Sequence, residues 1–360
     1  MDISMKDFVA AFQAEHYVPL AGKLLADTLQ DLAKEAAAAP CVAAVESAME
    51  NAARRQQEAG LPPVAYLSIS VLYTAVYFGE TKLRLDFYSS EWPVADPFYS
   101  EDIDAAWLFA HWRCHEEALR EAAKNQRTWV RSAHLESLGW QSVRLLAYGL
   151  YTKLKYWLQD LAPSPALGAL RREDEFYILF GEYQDWQSAV FAILPPIDIF
   201  NCSTDDSLRF RTYEKCRYSK KKFSQLDLSV SRFRDCTFED CTFDDVDLSD
   251  VIFANCRFAR TECTQVVLSG ALFLDTQLRE VRFRDVLAET LHRDTARNDV
   301  YRSLEFAGCT LEDVQLINCR FPGALLTDSL LTKITIEGGD YMDSDFQELA
   351  AVQTTEGGEK

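Results

Sequence analysis

From Tyr213 to Phe283 every fifth residue is apolar or aromatic, and no common secondary structure has that period. The stretch FRDCTFEDCTFDDVDL shows it plainly, with Phe233, Phe238, Phe243 and Leu248 spaced among Asp, Glu, Arg and Thr. On an α-helix, five-residue steps scatter the rings around the axis. On a flat strand, odd steps alternate faces, so half of the rings would point at water. The rhythm also holds at Leu228, Phe253, Phe258 and Leu268, and it resumes from Phe306 to Phe346 after one interruption.

Two residues before each of these positions the side chain is mostly small or β-branched, as at Cys216, Cys236, Cys241, Val246 and Cys256. A chain that turns a corner every five residues, always in one sense, points both sets at a common axis. Four corners close a square coil of twenty residues, and stacked coils form parallel ladders. Like residues then fall in columns, as Leu228, Leu248 and Leu268 do, and as Cys216, Cys236 and Cys256 do. Self-similarity at a fixed period marks a solenoid.

Residues 206–346 resemble the pentapeptide-repeat proteins, whose loose consensus is A(D/N)LXX with a central Leu or Phe. CTFED, CTFDD, VDLSD and GALFL carry the likeness. It implies a right-handed quadrilateral parallel β-helix. The whole chain is therefore expected to be a two-domain α+β protein: a mainly helical, aromatic-rich domain over 1–195, a hinge over 196–205, the β-helix over 206–346 and a flexible tail over 347–360. The interruption after Phe283 amounts to thirteen extra residues, so 287–302 is expected to leave the Leu face as a projecting helical loop.

The N-terminal half carries no repeat. Helices are expected on either side of Pro40, and Leu61-Pro62-Pro63 ends the second. VAYLSISVLYTAVYF is ambiguous between a buried helix and a strand, with the helix favoured; KLRLDFY is read as a strand, 103–161 as helical, APSPALG as a loop, and the stretch up to about Leu194 as a last helix. The start lacks the basic region and apolar core of a signal peptide, and the most apolar stretch is too short to span a bilayer. A cytoplasmic location is expected, with no membrane partner. Seven of the ten cysteines fall on inward positions, where Cys serves as a small buried hydrophobe.

The net charge is −19, and it is shared: 27 acidic and 17 basic residues lie before position 200, 29 and 20 after it. That argues against direct nucleic-acid binding. No Walker loop, GxSxG or GxGxxG is present, and no cofactor is expected. HWRCH sets His111 and His115 at i and i+4, a spacing that permits a metal, with His134 further on. No HExxH glutamate lies between them, and packing is the favoured reading.

A non-catalytic adaptor that presents an acidic β-helix surface to a protein partner is the expected function. Its candidate contact residues are Glu239, Asp240, Asp244, Asp245, Asp247 and Asp250, with His292, Arg293 and Arg297 in the inserted loop. The family resemblance implies an alternative, a DNA mimic that binds DNA gyrase or topoisomerase IV. Six coils would make a rod of about 29 Å, roughly eight base pairs long. Arg232, Arg234, Arg257, Arg260, Arg279, Arg282 and Arg284 interrupt the negative field. A third reading places an enzyme in the N-terminal half.

Overall fold

A computed structural model describes residues 5–124, 130–203, 207–289 and 303–356, and divides the chain into two compact units, Met1–Ala192 and Ile193–Lys360.

The first unit opens with helices α1 (Met5–Phe12) and α2 (Val18–Leu32), joined by a π-helical turn, and then α3 (Glu35–Ala59). Strand β1 (Val64–Val71), the short helix α4 (Tyr73–Tyr77) and strands β2 (Lys82–Tyr88) and β3 (Tyr99–Asp104) follow. Next come α5 (Trp112–Ala123), α6 (Ser132–Trp157) and α7 (Pro165–Ala169), then strands β4 (Arg172–Glu182) and β5 (Gln187–Ile193). The strands form one mixed sheet in the order β3-β2-β1-β4-β5, with β1 antiparallel to β2 and parallel to β4.

KLRLDFY is the strand expected of it, and helices hold the larger share of the unit, but the sheet itself departs from the sequence reading. VAYLSISV is a strand, not a helix. It is the central strand, with Leu67, Ile69 and Val71 buried on one face and Ser68 and Ser70 buried on the other. With both faces covered, the period-two contrast disappears. The stretch read as the last helix is β4 and β5, where Phe176, Ile178 and Phe180 alternate inward. APSPALG contains α7 rather than being all loop.

Helix α3 also runs through Pro40 instead of breaking there. The missing N–H removes one bond near the start of the helix. Downstream, Val45, Ala48, Met49 and Ala52 bury a full apolar stripe, which outweighs that loss. Gly60 closes the helix in the left-handed conformation at φ 63°, with its N–H on the Gln56 carbonyl at 3.0 Å.

The second unit is a four-sided parallel β-helix of about six coils. Its first wall stacks Thr212–Glu214, Arg232–Arg234, Ile252–Ala254, Leu272–Leu274, Glu305–Ala307 and Leu325–Thr327. The second wall begins with Arg217–Ser219 and Thr237–Glu239, the third with Lys222–Asp227 and Thr242–Asp247, whose last residues pass the next corner onto the fourth wall. From Arg257–Thr264 onward one eight-residue strand rounds the corner between these two walls, as in Gln277–Arg284, Thr310–Ile317 and Leu330–Glu337. The fourth wall holds single bridges, Asp247 to Val267 to Leu287 to Arg320 to Asp340.

Phe238 pairs with Phe258, twenty residues on, and Phe233 with Phe253. Gln277 instead pairs with Thr310, thirty-three residues on, so thirteen residues are inserted between the fourth and fifth coils. The insertion falls between Ala288 and Leu304, both buried. The expected helical loop over 287–302 lies largely outside the described residues, as do His292, Arg293 and Arg297.

The axis is filled by the five-residue set. Tyr213, Phe233, Phe253, Phe273 and Phe306 form one stack, with neighbouring centroids 4.7–5.1 Å apart. The small set does more than fill space. Cys236 Sγ donates to the Tyr213 carbonyl of the coil before, and Cys256 Sγ to that of Phe233, each at 3.3 Å. Thr276, Cys309 and Ser329 repeat the bond in the same column, so a small donor is what the slot selects. All ten cysteines are free.

Both ends of the stack are closed from within the unit. Ile199 is buried at one end, where Phe200 packs on Tyr218 and Phe223. At the other end Phe346 is buried, and helix α8 (Gln347–Glu356) follows where a flexible tail was expected. Leu349 and Ala350 of α8 lie on the core.

Candidate functional site

No described helix is long and apolar enough to cross a membrane, and no group of three His, Cys, Asp or Glu side chains that could hold a metal occurs among the described residues. The histidines are held separately. His111 Nε2 meets Asp31 Oδ2 at 2.8 Å, whereas His115 is buried with Nε2 on Ser142 Oγ at 2.8 Å. His134 Nδ1 accepts the Arg131 N–H at the start of α6. Their i, i+4 spacing therefore yields two unrelated contacts.

The β-helix is solid along its axis, so its chemistry lies on the outer walls, and the corners decide much of what is displayed there. Two residues after each inward ring the backbone turns with φ near +55°, as at Asp235, Asp240, Asp245, Asp250, Asn255, Asp275 and Asp285. Gly, Asn and Asp enter that region most readily, although Lys220, Val230, Arg260 and Gln265 take it at other corners. Several of the acidic residues thus have a conformational reason to be there that is independent of any partner.

The six expected contact acids are brought close together in sequence but not onto one face. Glu239 lies on the second wall and Asp240 at its corner. Asp244 lies on the third wall and Asp245 at the next corner, while Asp247 is on the fourth wall and Asp250 at the corner beyond. Neighbouring coils also neutralise them. Arg260 Nε reaches Asp240 Oδ1 at 2.7 Å and its Nη2 reaches Glu239 Oε1 at 2.6 Å. The Arg260 hydrogen bond holds the Asp240 carboxyl below the usual carboxylate range. Lys222 meets Asp244 at 2.8 Å from the coil before. The expected acidic face is therefore a mixed-charge surface, because cross-strand partners in a parallel ladder sit one coil apart and opposite charges there attract.

The corner between the second and third walls shows this most clearly. Up the stack it reads Lys220, Asp240, Arg260, Glu280, Asp313, Lys333, with the sign changing at almost every step. Beside it, Arg257, Arg279, Arg282 and Arg284 add a basic band over the third and fourth coils. Arg282 Nε donates to Gln315 at 2.9 Å, and Arg279 lies 3.7 Å from Glu312. A shallow cleft of about 320 Å³ runs along this edge between Arg260, Glu262, Arg282 and Gln315.

Two polar clusters in the first unit escaped the sequence reading. Arg144 grips the buried Glu182 with two bonds of 2.7 and 3.2 Å, and Trp186 Nε1 adds a third at 2.8 Å. On the sheet, Asp86 is fully buried and accepts from Arg84 Nε at 3.0 Å and Ser100 Oγ at 2.5 Å. Ser68, Ser70 and Gln187 bond one another nearby. The alternation of Ser68 with Ser70 and of Arg84 with Asp86 was the available signal, readable only once both segments are taken as strands.

A family model described as the SV2A/B/C luminal domain matches residues 198–283, less than half of the chain. No curated protein matches. Among solved structures, full-length QnrB1, a plasmid-mediated fluoroquinolone resistance protein, is 14% identical, with 42% of this chain and 100% of that chain covered and a TM-score of 0.19. HetL, a pentapeptide repeat protein involved in heterocyst differentiation regulation from the cyanobacterium Nostoc sp. strain PCC 7120, is 11% identical over 39% of this chain and 88% of that one, with a TM-score of 0.13. A pentapeptide repeat protein from the cyanobacterium Cyanothece 51142 is 14% identical over 38% and 90%, also at 0.13. The five-residue repeat is carried by the coil itself. Its five-residue sides, four corners per turn and in-register columns make the second unit of this chain a pentapeptide-repeat β-helix.

Proposed function

We propose that this protein is a non-catalytic protein-binding scaffold whose contact surface is the edge where the second and third walls of the β-helix meet. The observation that carries this reading is the alternating charge column from Lys220 to Lys333, flanked by the arginine band. Six coils about 4.8 Å apart, each showing about eight residues of about 3.3 Å, offer on the order of 750 Å² of outer surface. That is close to the roughly 800 Å² which each partner gives to a standard protein interface. The side chains stand on a hydrogen-bonded ladder, so little order has to be gained on binding.

A partner with its own alternating charges suits such an edge. A phosphate backbone has one sign throughout, so mimicry of DNA draws less support from this surface than a protein contact does. Type II topoisomerases enter as partners to be tested, as the family resemblance of residues 206–346 implies.

The test is capture from bacterial lysate by the full chain and by a double charge reversal, Arg260→Glu with Arg282→Glu, read by mass spectrometry. A protein retained by the wild type and lost from the variant supports the reading, and gyrase or topoisomerase IV subunits among the losses would name the partner class. Unchanged capture by the variant would overturn the assigned edge.

A further inference from the structure

A cleft of about 470 Å³ opens in the first unit between α5 and α6, and nothing in the proposed scaffold role uses it. Its floor is made by Trp112, His115 and Leu119, all buried, with the half-buried Leu135 beside them. The volume falls in the usual range for small-molecule sites, about 300–1,000 Å³.

The floor offers no fixed charge. Burial pushes the His115 ring below its ordinary proton affinity, and Ser142 already occupies its Nε2 at 2.8 Å. The buried imidazole is thus held uncharged beside the Trp112 indole, with ring centroids 5.9 Å apart. The mouth is polar but balanced. Arg120 spends its charge on Glu116 at 2.6 Å, and Arg131 stands with Glu136, one of each sign. Tyr77, 45% exposed, adds an aromatic edge at the entrance. A charged ligand would lose its hydration in the floor without gaining a counter-ion there. A flat apolar one would displace water from apolar walls and stack on rings.

We infer that this cleft is a binding site for a small uncharged aromatic compound of one or two ring systems. The site is separate from the β-helix edge and does not depend on the scaffold reading.

Gly139 allows the cleft to be filled from within. It lines the pocket, and a Cβ placed there would meet the Trp112 side chain at 3.7 Å, an ordinary contact. It sits inside α6, where replacing glycine also favours the helix. The probe is N-phenyl-1-naphthylamine, titrated into the full chain and followed by its fluorescence. Its sulfonated relative 1-anilinonaphthalene-8-sulfonate serves as the charged comparison. The wild type is expected to bind the uncharged probe saturably, one per chain, and at least tenfold more tightly than the sulfonate. Gly139→Leu should weaken the uncharged probe at least tenfold while leaving the melting temperature unchanged or raised. Leu135→Trp, which fills the same cleft from one turn earlier on α6, should do likewise if the first variant fails to fold. Absent or non-saturating binding, equal binding by the filled variants, or tighter binding of the sulfonate would each overturn the inference.

Discussion

Phe243 lies face to face with Phe223 one coil away, their centroids 4.4 Å apart and their planes within 5°. In-register parallel pairing imposes this, since residues twenty apart share one direction and one height step. Aromatic pairs ordinarily prefer offset or edge-on contact. The ladder selects the stacked form within a column, and edge-on contacts appear between neighbouring walls, as between Phe253 and Phe258 at 81°.

Truncating such a ring leaves a void that stiff neighbouring coils cannot close. Phe243→Ala should cost about 3–5 kcal/mol, whereas Phe243→Leu should cost less than about 1.5 kcal/mol. Leu occupies the same column in a later coil, at Leu316. Urea unfolding followed by far-UV circular dichroism checks both. Equal losses would show that the columns repack freely.

The corners make a second, separable prediction. Asp245 turns with φ 56° and is exposed. Asp245→Gly should leave stability within about 0.5 kcal/mol, and Asp245→Val should lose about 1–2 kcal/mol because a β-branched side chain resists that conformation. The same pair of changes at Asp244, which has an extended backbone, should reverse the ranking. Matched denaturation midpoints at the two positions would remove the conformational account of the acidic corners.

Acid should weaken the first unit in two stages. Burial lowers the proton affinity of His115 from the ordinary 6.5, while the Leu20 backbone and Glu116 oppose that shift. The unfolded chain therefore takes up a proton that the folded ring resists, and stability falls as pH drops below about 6.5 until the folded ring titrates too. For Glu182, burial alone would raise the carboxyl, but the donors from Arg144 and Trp186 outweigh it and hold it below the ordinary 4.5. Its contribution is complete above that value and is lost as pH falls further. Guanidinium midpoints between pH 4 and 8 should show both slopes. His115→Gln should flatten only the upper one, and Glu182→Gln only the lower.

Thiol reactivity should divide the cysteines by burial. Cys114 is exposed, Cys202 and Cys216 are half-buried, and the other seven are buried. Burial pushes Cys41 up to about 12 and Cys309 and Cys319 up to about 11. A disulfide reagent at pH 8 should modify Cys114 fast, at most two more slowly, and seven only after unfolding, because the thiolate is the reacting form. Rapid modification of more than three thiols in the native protein would contradict the packed axis.

The β-helix was legible because its fold is local. Each five-residue side repeats one conformation and each coil touches only its neighbours, so the columns of Phe233, Phe238 and Phe243 and the thirteen-residue insertion stand in the order of the residues themselves. Where the acids of the second coil point was not legible in the same way. Glu239 and Asp250 are eleven positions apart in sequence but lie on different walls, and only the coil places Arg260 against Glu239 and Asp240. In the first unit the limit was stronger. Whether VAYLSISV is helix or strand depends on β2 and β4 lying beside it and on Gln187 covering Ser68 and Ser70. Those contacts join residues far apart in the chain, and burial on both faces erases the alternation that a strand exposed on one side would have shown.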